Sequence, residues 1–169
     1  MAAERPYIRP VRPDDGSAIA AFYAALSPES RRSRFFGACR VISDRQAERF
    51  ACAVERGASG WVALDAVGRI VAHLCLEPLG RPRDRIEEVA VAVAEDWRGR
   101  GIGHALLDGA IASARRRGVI ALEATMLTGN HPIHALLERS GLPWTCHAIE
   151  PGSETIRLEL RREAFEGAA

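Results

Sequence analysis

Residues 86–118 restrict the possible folds more than any other segment, because an apolar strand, a glycine-rich turn and a helix follow one another directly. IEEVAVAVA has the small and β-branched residues typical of a strand. It is apolar on both faces from Val89 on, so we expect both faces to be covered. WRGRGIG then leads into a helix at about 101–117, which has an apolar residue at every fourth position and ends at Gly118. A chain containing this unit is predicted to be an α/β protein.

The rest of the chain supplies further strands and helices without strict alternation. Ser27 and Ser43 are candidate helix caps, and Ser43 forms a capping-box pattern with Gln46. We therefore expect a mixed α/β (α+β) fold, in which helices flank both faces of a mixed, mostly antiparallel sheet of six to seven strands. A single domain over residues 1–169 is predicted. The predicted strands are 6–12, 61–65, 69–77, 86–94, 119–127, 144–149 and 155–160, and the predicted helices are 14–26, 27–37, 43–55, 101–117 and 130–141.

Charge and cysteine content exclude several classes of function. The net charge of +1 argues against general nucleic-acid binding, and all 23 basic residues are arginine. No pair of cysteines has the spacing of a zinc site, so we expect free thiols. The N-terminus lacks the apolar core of a signal peptide, and no apolar stretch is long enough for a membrane helix, so we expect a cytoplasmic protein that does not bind membranes. The four cysteines are Cys39, Cys52, Cys75 and Cys146.

A glycine-rich turn between a strand and a helix is typical of phosphate binding, and three kinds of phosphate are considered. A dinucleotide site needs G-x-G-x-x-G in the first βαβ unit, but His104 stands at the third glycine position, and the turn follows the fourth strand. A triphosphate loop needs a lysine, and the chain has none. The remaining interpretation is a pyrophosphate, held by unpaired amides at the helix N-terminus, with charge added by Arg98 and Arg100. The candidate cofactor-binding residues of this turn are Arg98, Gly99, Arg100, Gly101, Ile102, Gly103 and His104.

This segment resembles the GNAT N-acetyltransferase superfamily. Arg98-x-x-Gly101-x-Gly103 matches the family signature [RQ]-x-x-G-x-[GA], and the strand before it and Asn130 after it stand in the family's order. The resemblance implies acetyl-CoA as co-substrate. It also implies that the backbone of Val91 and Val93 binds the pantetheine arm where the strand splays from its neighbour. A Val91 amide that polarises the thioester oxygen and an Asn130 contact to the pantetheine complete the expected site.

A narrower resemblance is to the bacterial protein lysine acetyltransferases of the Pat type. It is carried by IRPVRPDD, LSPESRRSRFFG and EVAVAVAEDWRGRGIG. It implies a protein partner, since members acetylate the active-site lysine of AMP-forming acyl-CoA synthetases. It also places SPESRRSRFFG beside the acceptor groove, where we expect it to dock the substrate. A small amine acceptor and a non-catalytic acyl-CoA sensor stay open as alternatives, as does the choice between monomer and homodimer.

Acetylation of an amine calls for a base, because a lysine amine has an unperturbed pKa of about 10.4. Glu87 and Glu88 are the candidates, one on each face of the strand. The residues alone leave both open. In the Pat-like proteins the catalytic glutamate aligns with Glu88, which implies direct attack with Glu88 as the general base.

The sequence has no obvious general acid, and it gives little support for a metal site. Many family members have a tyrosine where Leu137 stands here, but a thiol with a pKa of about 8.5 can leave without an acid. His131, His134 and Glu138 lie on adjacent helical turns, but no further ligand supports them, so we expect no metal. The other two histidines considered, His73 and His147, are expected to be strand residues satisfied by packing or hydrogen bonds.

Overall fold

The computed structural model describes residues 5–36, 42–53 and 57–160, without the side chains of 147–149. Within these ranges the strands are β1 (Tyr7–Pro10), β2 (Ser59–Leu64), β3 (Ile70–Leu79), β4 (Ile86–Val93), β5 (Ala121–Leu127), β6 (Trp144–Glu150) and β7 (Ser153–Glu159). The helices are α1 (Gly16–Ala25), α2 (Pro28–Phe35), α3 (Asp44–Ala51), α4 (Ile102–Arg116) and α5 (His131–Arg139).

All seven strands belong to one sheet in the order β1-β2-β3-β4-β5-β7-β6. Every neighbouring pair is antiparallel except β4 and β5, which are parallel. The prediction of a mixed, mostly antiparallel sheet is therefore confirmed. The single parallel pair follows from the unit recognised in the sequence, because a strand that returns through a helix lies parallel to the first.

Helices cover the sheet through two separate apolar clusters. α4 buries the stripe that contains Leu106, Ala110 and Ala114 against one face. α1 and α3 enclose a second cluster on the other face, with Ile19 and Tyr23 fully buried. Both faces of the sheet are thus used for packing, which excludes the apolar surface of β2 and β3 from water.

β4 separates from β5 halfway along its length. It pairs with β3 from Ile86 to Val93, but with β5 only from Ile86 to Glu88. The Ala94 amide donates to a β3 carbonyl (2.9 Å), so the alternation of an antiparallel strand turns the backbone groups of Val91 and Val93 away from β3 and into the gap. The expectation that both faces of β4 are covered is wrong beyond Val89, since residues 90–93 are only half-buried where the neighbouring strand departs.

The helix caps predicted at Ser27 and Ser43 are present, and α4 and α5 end just before Gly118 and Gly141, as predicted. Ser27 accepts the Ser30 amide, and Ser43 and Gln46 form the expected capping box. Helix α3 ends at Ala51, earlier than predicted; the expected last residue, 55, lies outside the described residues, as does the predicted end of α2 at 37. No helix in the described ranges has the length and apolarity to cross a bilayer.

Candidate active site

The separation of β4 from β5 opens a groove of about 840 Å³ in the middle of the sheet. β4 residues 88–93 form one wall, and residues 124–130 with part of α5 form the other. The turn before α4 closes one end, and α2 borders the groove from the side of α1 and α3. A long cleft with an unpaired strand edge suits an extended ligand that hydrogen-bonds to backbone groups.

The turn before α4 has the geometry of an anion site. Gly99 and Gly101 have φ of 72° and 78°, in the left-handed region that favours glycine, and a Cβ on either would meet nothing within 4 Å. The Ala105 amide makes the first bond of the helix, to the Gly101 carbonyl (3.0 Å). The amides of Ile102, Gly103 and His104 therefore have no partner in the helix, and they lie with the positive end of its dipole at the end of the groove that this turn borders.

The two arginines of this turn were expected to add positive charge to the phosphate site. In the structure both bind other parts of the chain. Arg98 Nε donates to the Val93 carbonyl (3.1 Å), and its Nη2 donates to Ser30 Oγ on α2 (2.7 Å). Arg100 lies over the Trp97 ring (4.6 Å from the centroid) and donates to the Asp96 carbonyl, outside the groove lining. Consequently Arg98 occupies the Val93 carbonyl that was expected to bind pantetheine.

Glu95 links this turn to the beginning of α2. Its carboxylate accepts the Ser27 amide (3.0 Å) and the Ser30 hydroxyl, and it lies 3.6 Å from Arg98 Nη2. Burial raises the pKa of Glu95, but the hydrogen bonds from Ser30 and Ser27 outweigh burial and lower the pKa to about 2. Sequence reasoning missed Glu95 and Ser30, because their partners lie more than sixty residues away in the chain.

We expect Glu95→Ala to lower the free energy of unfolding by about 1 kcal/mol at neutral pH, the low end for hydrogen bonds to a charged group because Glu95 is partly exposed. The folded-state pKa of Glu95 lies below its ordinary 4.5, so the contribution is complete above about pH 4.5 and disappears as the pH falls through about 2. Urea denaturation of the wild type and the variant between pH 7 and pH 2 measures this. Asp96→Ala, which removes a carboxylate without a hydrogen-bond partner among the described residues, is the control. A stability difference that does not shrink on acidification would contradict the role of Glu95.

The two candidate bases face different surroundings. Glu87 is buried and accepts Arg117 Nη2 (2.5 Å), so it serves as the partner of that guanidinium. Glu88 lies on the opposite face, is exposed, and borders the groove. Among the described residues none hydrogen-bonds or ion-pairs with the Glu88 carboxylate. The structure thus separates a structural carboxylate from one that is available to a ligand.

Asn130 and Leu137 lie on the far wall of the groove. Asn130 is the N-cap residue of α5, but its side chain forms no cap hydrogen bond. It is half-buried and lines the groove. Leu137 is buried at 2% exposure and presents no hydroxyl where many family members have one.

The histidines form no metal centre in the part of the chain that the structure describes. His134 Nε2 pairs with Glu154 Oε1 (2.9 Å), while His131 and Glu138 are exposed on α5. His73 meets the prediction only in part, because Nδ1 bonds to the Tyr23 hydroxyl (2.9 Å) but Nε2 is buried without a described partner. His147 lies outside the described side chains.

Comparison with known proteins is consistent with this geometry. The family model for the acetyltransferase (GNAT) family matches residues 19–142. The acetyltransferase Pat of Mycolicibacterium smegmatis is 29% identical over 146 residues, which is 82% of this chain, and the chain spans 41% of that protein's length. The GNAT domain of S. lividans PAT has a TM-score of 0.81 at 27% identity, over 91% of this chain and 90% of that one.

A more distant neighbour shows the same fold. The acetyltransferase from Salmonella typhimurium that was solved with its cofactor acetyl-CoA has a TM-score of 0.75 at 20% identity, covering 98% of this chain and 99% of the other. The match of the family model extends from α1 through the β4–turn–α4 unit to the end of α5, so it includes the whole groove. The chain therefore belongs to the acetyltransferase (GNAT) family, the enzymes that transfer an acetyl group from acetyl-CoA to an amine.

Proposed function

We propose that this enzyme acetylates the ε-amine of a protein lysine by direct attack on acetyl-CoA, with Glu88 as the general base. An AMP-forming acyl-CoA synthetase is the favoured protein substrate. The observation that carries the assignment of the base is the unpaired Glu88 carboxylate at the border of the groove. Enzymes of this kind would act in the cytoplasm, where acetyl-CoA and the synthetases are found.

The residues around the groove fit each part of acetyl-CoA. The free amides of residues 102–104 suit the pyrophosphate, and the exposed edge of β4 at Val91 suits the amides of the pantetheine arm. The Val91 N–H is available to polarise the thioester oxygen, because the β4–β5 pairing has ended before it. Asn130 lies on the opposite wall of the same groove.

The chemistry then needs only one protein acid–base group. Glu88 accepts a proton from the acceptor ammonium, directly or through water, and the neutral amine attacks the thioester carbon. As the tetrahedral intermediate collapses, the C–S bond breaks, the thiolate leaves, and the nitrogen releases its second proton to water. With Leu137 at the family's tyrosine position, the leaving group is expected to take its proton from water, which an ordinary thiol pKa of about 8.5 permits.

The choice of a protein acceptor rests on similarity to the two Pat proteins, together with the accessible side of α2. Fewer residues of SPESRRSRFFG are free to dock a substrate than the sequence suggests. Arg31 donates to the Ala24 and Leu26 carbonyls at the end of α1, and Arg34 faces the sheet. Arg32 and Phe36 are exposed, so we assign docking to these two residues.

Labelled acetyl-CoA with a purified acyl-CoA synthetase, and separately with small amines, tests the acceptor. We expect label on a single synthetase lysine, and loss of that label when the synthetase's active-site lysine is replaced by arginine. The chain itself has no lysine, so a labelled lysine comes from the acceptor. Label confined to small amines would favour the small-molecule alternative, and acetyl-CoA binding without transfer to any acceptor would favour the sensor alternative.

A further inference from the structure

A second cavity adjoins the acetyl-CoA groove beside Glu88. It has a volume of about 200 Å³ and lies between α2, α3 and the strands β3 and β4. It shares Arg34, Glu88 and Ala90 with the groove, so a ligand in the cavity would lie next to Glu88, the proposed base. Ligand pockets for drug-sized molecules begin at about 300 Å³, so this cavity suits a smaller molecule.

Arg34 and Glu88 are the two charges in the cavity wall that no neighbouring side chain neutralises. The other two charged residues of the wall, Arg49 and Glu77, form an ion pair with each other (2.7 Å). No carboxylate among the described residues lies within ion-pair distance of Arg34. No cationic side chain among them lies within ion-pair distance of Glu88. The cavity wall therefore includes one cation and one anion that form no ion pair with each other.

Neighbouring side chains fix the position of the Arg34 guanidinium. Its Nη2 donates to Cys75 Sγ (3.4 Å), and it lies near the Tyr23 hydroxyl, which bonds to His73 Nδ1 (2.9 Å). The rings of Phe35 and Phe50 lie 4.9 and 5.8 Å from the guanidinium carbon.

These supporting groups are uncharged at neutral pH. Burial raises the pKa of Tyr23 to about 12 and lowers the pKa of His73 to about 3. Neither the phenol nor the imidazole therefore compensates the charge of Arg34, and its Nε is buried without a described hydrogen-bond partner. A pre-organised guanidinium in this state is typical of a carboxylate-binding site.

We infer that this cavity binds the carboxylate of a free α-amino acid at Arg34 and presents its amine to Glu88, which gives the enzyme a second activity as an amino-acid N-acetyltransferase. Amine and carboxylate share one carbon in such a ligand, which matches a cation and an anion in the same small cavity. The two phenylalanine rings suit an apolar side chain. The inference rests on the proposed role of Glu88 but not on a protein acceptor.

The reaction is balanced without any further reactant. The amine nitrogen forms a bond to the acetyl carbon as the carbon–sulfur bond breaks. The ammonium group loses two protons: one passes through Glu88 to solvent, and the other is matched by protonation of the CoA thiolate. The products are the N-acetyl amino acid and CoA.

CoA release measured with free amino acids and with the corresponding amino-acid amides tests this inference. Binding of the carboxylate by Arg34 predicts a kcat/KM about 10- to 100-fold higher for the free acids, the range for hydrogen bonds to charged groups. Arg34→Met should remove this preference mainly through KM, and Arg34→Lys should restore part of it. Arg45→Met, an exposed arginine of α3 that lines neither cavity, should leave the preference intact.

The wild-type comparison decides the inference even if Arg34→Met does not fold. Equal rates with acids and amides, or no amino-acid acetylation by enzyme that acetylates a protein lysine, would overturn it. Acetylation of amino acids without any protein acetylation would instead overturn the protein acceptor and leave the cavity assignment standing. An acid preference that persists in folded Arg34→Met would move the carboxylate site away from Arg34.

Discussion

Replacement of Glu88 by glutamine should lower kcat by about 10²- to 10⁴-fold, the usual contribution of a general base, while the Kd for acetyl-CoA stays unchanged. Glutamine keeps the size of the side chain but cannot accept the proton of the acceptor amine. The pH dependence should also change: in the variant the rate should rise with pH until the acceptor amine deprotonates on its own, near its unperturbed pKa of about 10.4. Steady-state rates over pH 6 to 10 and calorimetric titration with acetyl-CoA check both statements.

Glu87→Gln is the matched control for this experiment, because it makes the same change on the adjacent residue of β4. Its partner Arg117 would lose a buried carboxylate, so we expect a lower free energy of unfolding and an unchanged kcat for the folded enzyme. If Glu87→Gln reduced kcat as much as Glu88→Gln did, the assignment of the base would be wrong.

Replacement of Gly101 by valine should raise the Kd for acetyl-CoA at least tenfold. The backbone at Gly101 has φ of 78°, and a β-branched residue there costs about 1–3 kcal/mol, so the turn is expected to relax to another conformation. That change moves the amides of residues 102–104 away from the pyrophosphate, and 1.4 kcal/mol already corresponds to a tenfold change in Kd. Isothermal titration with acetyl-CoA measures the effect.

Gly68→Val separates strain from binding. Gly68 has φ of 83° in the turn between β2 and β3, and a Cβ added there would meet no atom within 4 Å, as at Gly101. We expect this variant to lose stability and to keep the wild-type Kd. A similar Kd in both variants would show that the turn at Gly101 does not hold the pyrophosphate.

The predictable parts of this molecule are those set by local sequence. The β4–turn–α4 unit, the caps at Ser27 and Ser43, and the sheet class all follow from patterns within a few residues. For the same reason Glu87 and Glu88 could be recognised as alternatives on opposite faces of a strand. Their separation into a paired and an unpaired carboxylate could not, because it depends on Arg117, which lies thirty residues away.

The parts that sequence reasoning missed depend on long-range geometry. Only the family resemblance implies that β4 separates from β5 after Glu88, because the composition of these half-buried residues is that of a strand covered on both faces. The bond from Arg98 to Ser30 and the cluster of Tyr23, His73 and Arg34 join segments with no shared periodicity. Only the fold brings these residues together, so no local sequence pattern predicts their contacts.

A single-turnover experiment tests the central claim most directly. The complex of the enzyme with acetyl-labelled acetyl-CoA is mixed with a lysine acceptor, and the label is followed on the acceptor and on the enzyme. Direct attack predicts that label passes to the acceptor without appearing on the enzyme, and that Glu88→Gln still binds acetyl-CoA but transfers slowly. Label on the enzyme before the acceptor is modified, or transfer by Glu88→Gln at the wild-type rate, would contradict the account.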